Sequence, residues 1–295
     1  MKQQITTIAV MLLLVFGVGD VSSNEHASKE QKRSLAADTK IRFAAYNVLF
    51  GLWTKPESVG KMFKQYDLDV ICFNEVPQGD WTLRVGRELG MEHAYVGKVS
   101  SANHKDKYKS ILCRFPLRDK SEIVINAKGW KPASIVSAMT KINGVPLKLY
   151  STHIPGQPAV EKSAASFISE ILINDSESEN LFVLGDFNNH LYQGALKAFE
   201  EAGMKSIWHG LSIDTANIST HRHIESGNES GVIDHIFYRI KNSRVKVTKG
   251  GIIDGAFNPP EEKINMNRYK KEWIKYGKPL SDHRPIWAEF IFVHD

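Results

Sequence analysis

The chain has 295 residues, 42% of them hydrophobic and 24% charged, with a formal net charge of +5. This is ordinary globular composition, and the length fits one large α/β domain or two small ones. Two cysteines exclude a zinc site built from cysteine pairs, and a charge this mild does not by itself select a partner.

The N-terminal residues show a pattern that is typical of a targeting segment. Residues 1–23 contain a basic start at Lys2, an apolar run over residues 8–18 and small residues before position 24. The apolar run is short for a bilayer span, so we predict a secretory signal peptide and no transmembrane span. Residues 24–39 are predicted to be a flexible linker and residues 40–295 one domain, in a protein that is secreted or periplasmic.

The first half of the domain alternates strands and helices. The sequence predicts strands over residues 40–47, 69–75, 93–98, 109–114 and 121–126, and helices over residues 56–66 and 81–89. Asn47 closes the first strand and Glu75 closes the second. A Glu in that position is either an exposed residue at the start of the following loop or a ligand for a hard cation such as magnesium. Cys72 and Cys113 lie in apolar runs and are predicted to be buried thiols rather than a disulfide.

A hairpin follows. Strands over residues 134–142 and 145–152 are separated by Asn143-Gly144, a dipeptide typical of tight β-hairpins. The second strand runs into His153. A lone histidine there is more often a satisfied core residue than a functional one. Here, after Asn47 and Glu75, His153 is the third polar residue that ends an apolar strand.

The most informative stretch is the strand over residues 181–184, which runs through Gly185 into Asp186 and Asn188. Glycine permits a turn or a close approach of another group. An acid and an amide two residues apart can hold a water molecule and a phosphoryl oxygen at one point. The alternative is a structural Asx-turn.

The remaining elements continue the pattern. Helices are predicted over residues 161–173 and 194–202, and strands over residues 231–238, 246–253 and 286–293. Asp234 lies in the first of these strands, and Asp282 and His283 precede the last. Hairpins interrupted by helices point to stacked sheets with helices outside.

The joint order of these motifs is more specific than any one of them. They are Tyr46-Asn47, Asn74-Glu75-Val76, Thr152-His153, Gly185-Asp186-Phe187-Asn188, Ile233-Asp234 with Ile236-Phe237, and Ser281-Asp282-His283-Arg284-Pro285. The set resembles the endonuclease/exonuclease/phosphatase superfamily, the deoxyribonuclease I-like metal-dependent phosphoesterases. The resemblance implies an α+β fold, a four-layer α/β/β/α sandwich with two packed mixed sheets flanked by helices and the site at one edge.

The resemblance also implies roles. Glu75 would bind a divalent cation, Mg²⁺ or alternatively Mn²⁺ or Ca²⁺, with Asn47 in support. Asp282 would complete the metal or water shell. The other expected site residues are His153 at the leaving oxygen, Asp186 and Asn188 on the attacking water, and His283 at the phosphate or as base, oriented by Asp234.

Some positions depart from the family pattern. Lys109 and Cys113 stand where glycine and serine are often found, and we expect Lys109 to be a solvated strand-edge lysine. His235 replaces an aromatic residue and is expected to face the core or a neighbouring strand. His190 and His221 lie near site loops but are not expected to touch substrate.

The superfamily resemblance does not fix the substrate. A basic loop over residues 261–278 carries Trp273 and Tyr276, which would suit nucleic acid or a lipid surface, or be merely solvated. The leading hypothesis is a secreted phosphodiesterase, with nuclease activity first. A phosphomonoesterase, a phospholipid phosphodiesterase and a non-catalytic binding protein are the alternatives. The oligomeric state is not predicted.

Overall fold

Twelve strands form the framework of the domain. The computed structural model describes residues 38–125, 132–155, 158–191, 194–223, 227–254 and 279–294. The strands are β1 (Thr39–Asn47), β2 (Val70–Val76), β3 (His93–Val96), β4 (Tyr108–Cys113), β5 (Arg118–Val124), β6 (Ser134–Ile142), β7 (Val145–His153), β8 (Asn180–Asp186), β9 (Lys205–Ser206), β10 (Asp234–Ile240), β11 (Arg244–Ile252) and β12 (Ile286–Val293). The helices are α1 (Pro56–Phe63), α2 (Trp81–Leu89), α3 (Pro158–Asn174), α4 (Lys197–Glu201) and α5 (Ile207–Gly210).

The strands form two mixed six-stranded sheets. Sheet A has the order β11-β12-β1-β2-β4-β3, and sheet B has the order β5-β6-β7-β8-β10-β9. Each sheet has one parallel pair at its centre, β1 with β2 and β7 with β8, and its other neighbours are antiparallel. The parallel pairs bring the ends of β1, β2, β7 and β8 to one edge.

The sheets pack face to face because β1 is apolar on both sides. Phe43 faces sheet B and stacks on Phe182 of β8 with ring centroids 4.2 Å apart. Tyr46 faces the other way and meets Phe63 of α1 edge-on. Helix α3 joins the core on the sheet B side through Ile168 and its neighbours. The predicted layered α+β sandwich is confirmed.

Turn chemistry follows the sequence closely. Asn143 and Gly144 both have positive φ, of 47° and 91°, which is the backbone of the tight turn predicted between β6 and β7. Helix α2 ends at Gly90, whose φ of 65° is left-handed, as expected of a residue that closes a helix. Cys72 and Cys113 are buried free thiols, as predicted.

Several element boundaries differ from the prediction. The helix predicted over residues 194–202 begins as a 3-10 turn and continues as α4. Strand β9 and helix α5 were not predicted, because two and four residues are too short to show a periodic pattern. Strand β10 starts at Asp234, because the preceding residues bond to the segment around Thr220.

Some predictions fall outside the described residues: the signal peptide, almost all of the linker, and the loop with Trp273 and Tyr276. Within the described part of the chain, no helix has the length and apolar character needed to cross a membrane.

Candidate active site

Strand register places three of the predicted site residues side by side. In sheet B, His153 at the end of β7 is the register partner of Asp186 at the end of β8. On the other side of β8, Asp186 is the register partner of Asp234 at the start of β10. A slip of one residue in either pairing would turn these side chains to the opposite face of the sheet. Asn47 and Glu75 come from the neighbouring strand ends of sheet A.

Asn74 joins the two sheets at this edge. Its amide nitrogen donates to Thr152 O at 2.8 Å, and its amide oxygen accepts from Asp186 N at 2.8 Å. The approach requires Gly185, because a Cβ there would lie 1.9 Å from Thr152 O and 2.9 Å from Asn74 Oδ1. The close approach predicted for this glycine is therefore present.

Asp186 is the centre of the site. It is buried, and its Oδ2 lies 3.0 Å from Asn47 Nδ2, 3.3 Å from His153 Nε2 and 3.6 Å from His283 Nε2. Burial alone would raise the pKa of this carboxyl, but the charges of His283 and His153 hold it well below its usual range. Asp186 is therefore a carboxylate, and its Oδ2 faces two imidazoles.

His283 is held by Asp234. Its Nδ1 lies 2.9 Å from Asp234 Oδ2, which leaves Nε2 directed towards Asp186 and Asp282. Burial opposes a charge on this ring, yet the carboxylates of Asp234, Asp186 and Asp282 raise its pKa to about 10. The ring is therefore a cation at neutral pH in the absence of other bound charges.

Glu75 has an unusual backbone. Its φ is +53°, and it lies in a bulge where the register between β2 and β4 shifts. A left-handed conformation costs a non-glycine residue about 1–3 kcal/mol, which points to a functional constraint. Its Oε1 lies 3.1 Å from Lys107 Nζ and 3.8 Å from His153 Nδ1. Its Oε2 is buried and has no hydrogen-bond partner among the described residues.

Asn188 completes the set next to His153. Its φ is +48°, a conformation that asparagine tolerates better than most residues. Its Nδ2 donates to Ile154 O at 2.8 Å and lies 3.2 Å from His153 Nε2, while its backbone N–H donates to Asp186 Oδ1 at 2.9 Å. The Asx-turn considered as the alternative is thus present as well, so the structural and the site geometry coexist.

Together these contacts make a row in which basic and acidic side chains alternate. We call it the charged row; its members are, in order, Lys107, Glu75, His153, Asp186, His283, Asp282 and His221. Consecutive members are separated by 3.1, 3.8, 3.3, 3.6, 4.0 and 3.6 Å. All eight predicted site residues lie in this row or contact it directly.

The two ends of the row were not predicted. Lys107 follows a lysine-rich loop in which the sequence gives no reason to single it out. His221 lies in a loop rich in histidine, but its Nε2 is 3.6 Å from Asp282 Oδ2 and its ring centroid is 4.6 Å from that of His283. No sequence pattern marked it as a site residue; its place is set by the adjacent Thr220, whose hydroxyl accepts from Asp234 N.

The prediction for His235 is confirmed, whereas the prediction for Lys109 is wrong. His235 is buried as expected, with Nε2 2.8 Å from Asn189 O, and burial lowers its pKa to about 4. Lys109 was expected to be solvated, and this is wrong: it is buried, and its Nζ donates to Ser101 Oγ at 3.0 Å. Burial lowers its pKa to about 8. The prediction failed because strand alternation did not show that a loop covers this face.

Comparison with known proteins agrees with the geometry. The family model described as "Endonuclease/Exonuclease/phosphatase family" matches residues 44–283. No curated protein matches the sequence.

Three similar solved structures show the same fold. An endonuclease/exonuclease/phosphatase family protein from Bacteroides thetaiotaomicron is 18% identical, with TM-score 0.65 over 87% of this chain and 99% of that one. A mannosyl-6-phosphatase of the same organism is 17% identical, with TM-score 0.64 over 85% and 100%. D. rerio TDP2, complexed with a single-strand DNA product, is 16% identical, with TM-score 0.61 over 86% and 99%.

Proposed function

Because this chain belongs to the endonuclease/exonuclease/phosphatase family, whose members are hydrolytic phosphoesterases that generally use divalent metals, we propose that it hydrolyses phosphodiester bonds with an activated water. Nuclease activity is the first candidate. The observation that carries the proposal is the placement of Asp186, a buried carboxylate held by Asn47 and Asn188 between two imidazoles.

The oxygen ligands at the Glu75 end fit a hard cation. A buried carboxylate oxygen without a hydrogen-bond partner, such as Glu75 Oε2, is costly unless a cation or water meets it. Asn47 and Asp282 are the other proposed oxygen ligands, and Ser281 Oγ links their segments by donating to Asn47 O at 2.8 Å. Mg²⁺ is the first choice because it prefers carboxylate and amide oxygens. When bound, it would neutralise charge on the phosphoryl group.

Asp186 and Asn188 would orient the attacking water. The Asp186 carboxylate is a hydrogen-bond acceptor, and its low pKa keeps it so at neutral pH. A water that donates to Asp186 would be held in one orientation next to the scissile phosphorus, which supplies the positional advantage of an intramolecular reaction.

His283 would bind the phosphate as a donor. Asp234 on its Nδ1 fixes the ring, and Nε2 is the atom that faces the site. The raised pKa of this ring in the metal-free protein favours the donor role over that of general base. His153, on the opposite side of Asp186, would stabilise or protonate the leaving oxygen.

A phosphomonoesterase is the second candidate. The charged row contains three histidines and Lys107 as hydrogen-bond donors, and a phosphomonoester has three non-bridging oxygens to accept from them, one more than a diester. The phospholipid phosphodiesterase uses the same residues and remains an alternative without an observation of its own.

A substrate panel tests the proposal. Purified protein would be assayed on single-stranded DNA, RNA, sphingomyelin, inositol phosphates and a sugar 6-phosphate, with Mg²⁺ and with EDTA. We expect Mg²⁺-dependent cleavage of nucleic acid. Cleavage of sugar 6-phosphate alone would select the monoesterase, and no cleavage of any phosphoester under any metal would overturn the proposal.

Export is a separate proposal. We propose that residues 1–23 direct the chain out of the cytoplasm and are then removed. Sequencing the N-terminus of protein recovered from the periplasm or the medium should give Asn24 or a neighbouring residue, whereas an intact Met1 in the cytoplasmic fraction would contradict export.

A further inference from the structure

His221 lies at the end of the charged row without a part in the proposed reaction. Its backbone lies between two segments: it forms an antiparallel bridge with His283, and the adjacent Arg222 forms one with Glu229. The adjacent Thr220 anchors the backbone at His221, since its hydroxyl accepts from Ile233 N at 3.0 Å and from Asp234 N at 3.2 Å. The imidazole is therefore placed by a rigid part of the fold.

The contact with Ser230 shows which nitrogen of His221 is available. Ser230 Oγ donates to His221 O at 3.2 Å and lies 2.6 Å from His221 Nδ1. Nδ1 is therefore engaged by Ser230, and Nε2 is the nitrogen that faces Asp282. The Nδ1 of His283 is likewise bonded, to Asp234, and its Nε2 faces Asp282; a bound cation would replace the proton that this nitrogen otherwise carries. Both rings thus present Nε2 to Asp282.

The spacing around Asp282 suits a shared ion better than a direct hydrogen bond. His221 Nε2 lies 3.6 Å from Asp282 Oδ2, which is too long for a hydrogen bond. Ligand atoms around a tetrahedral zinc ion lie about 3.4 Å apart. The second pair, His283 Nε2 to Asp282 Oδ1, is 4.0 Å, and the ligand atoms of all three residues lie within 4.8 Å of one another.

We propose that His221, Asp282 and His283 form a binding site for a transition-metal cation, with Zn²⁺ the best fit. Two imidazoles and one carboxylate, each imidazole supported on its other nitrogen, are a typical zinc donor set. The Glu75 end offers oxygen ligands and suits Mg²⁺ instead. The two ends of the row therefore select different cations, and the zinc site lies on the His221 side of Asp282.

The site has a consequence for activity that rests on the proposed function. A zinc ion on Nε2 of His283 would occupy the atom that is proposed to bind the substrate phosphate. Zn²⁺ should therefore inhibit the Mg²⁺-supported reaction.

Direct metal binding tests the site without any assay of turnover. The full chain, stripped with EDTA and dialysed, would be titrated with Co²⁺ in excess Mg²⁺, followed by visible absorption, and Zn²⁺ affinity would be measured by competition. We expect one Co²⁺ per chain, displaced by Zn²⁺. His221→Asn should weaken Zn²⁺ binding at least about 100-fold, and His221→Cys, which restores a zinc ligand, should recover most of it.

Two further variants locate the ion. His223→Asn is the matched control, because this exposed histidine lies beside His221 with ring centroids 5.1 Å apart. It should bind Zn²⁺ like the wild type, and so should Glu75→Gln. Equal Zn²⁺ affinity in wild type and His221→Asn would overturn the proposal, as would equal losses in His221→Asn and His223→Asn. If no phosphoester is cleaved at all, the proposed function fails and these binding results still stand.

Discussion

The two ends of the charged row hold their carboxylates in opposite ways. Glu75 has a left-handed backbone, one oxygen on the flexible side chain of Lys107 and one oxygen without a partner among the described residues. Asp282 lies among rigid imidazoles whose outer nitrogens are bonded to Ser230 and Asp234. The Glu75 end thus keeps one carboxylate oxygen unpaired among the described residues, whereas both oxygens of Asp282 face imidazoles that are held on their other nitrogen.

Removing the Asp186 carboxylate, at the centre of the charged row, should have the largest effect on catalysis. Asp186→Ala is expected to lower kcat for a generic phosphodiester at saturating Mg²⁺ by at least about 10³-fold, because the water loses its acceptor. Steady-state kinetics measures this. The control is Asp214→Asn, an exposed carboxylate that accepts from Ala216 N in its own turn. A wild-type rate for Asp186→Ala would refute the assigned site.

Loss of the Asp234 charge should act through His283 and not through Mg²⁺ affinity. Asp234→Asn keeps the shape of the side chain but removes the charge that orients the ring, so kcat should fall about 10²-fold. The Kd for Mg²⁺, measured by calorimetry, should change by less than about threefold, because Asp234 is not among the proposed Mg²⁺ ligands. A fall in Mg²⁺ affinity as large as the fall in kcat would contradict the claim that Asp234 acts on His283 and not on the Mg²⁺ site.

The Glu75 end should respond to the loss of its lysine. Lys107→Met removes a cation 3.1 Å from Glu75 Oε1, so the Kd for Mg²⁺ should fall about tenfold. Lys105→Met, an exposed lysine on the same loop, is the matched control and should leave the Kd unchanged. Weaker Mg²⁺ binding in Lys107→Met would mean that Lys107 orders Glu75 and does not compete with the cation.

Low pH should slightly lower the stability of the segment that supports the Asp282 end of the charged row. Burial would raise the pKa of Glu229, but hydrogen bonds from Arg284 and Arg222 lower it to about 2 from an ordinary value of 4.5. Its contribution to stability is therefore complete above pH 4.5 and is lost as the pH falls towards 2.

Glu229→Gln is the variant that measures this term. Its Tm should lie about 2 °C below that of the wild type at pH 7, and the gap should narrow as the pH falls from 4.5 to 3. A gap that stays constant across this range would show that the Glu229 charge does not support the segment.

The sequence predicted the sandwich, and the eight residues that it proposed for the site lie together in the structure because most of them follow the end of a strong local pattern. Asp186 follows an apolar strand and a required glycine, and His283 lies in a specific five-residue motif. Lys107 and His221 could not be found in this way, because they reach the row from loops whose paths depend on tertiary packing. The same reason explains Lys109, whose burial depends on the loop with Ser101.

The pairing of β1 with β12 has a consequence for how the protein is made. Thr39 lies opposite Phe292, so the central strand of sheet A gains its second neighbour only when a segment about 250 residues further along the chain has been translated. Until then β1 has an open, apolar edge that can pair with other chains. A prematurely terminated product that lacks β12 should thus be found in inclusion bodies or bound to chaperones, even though all eight predicted site residues precede β12.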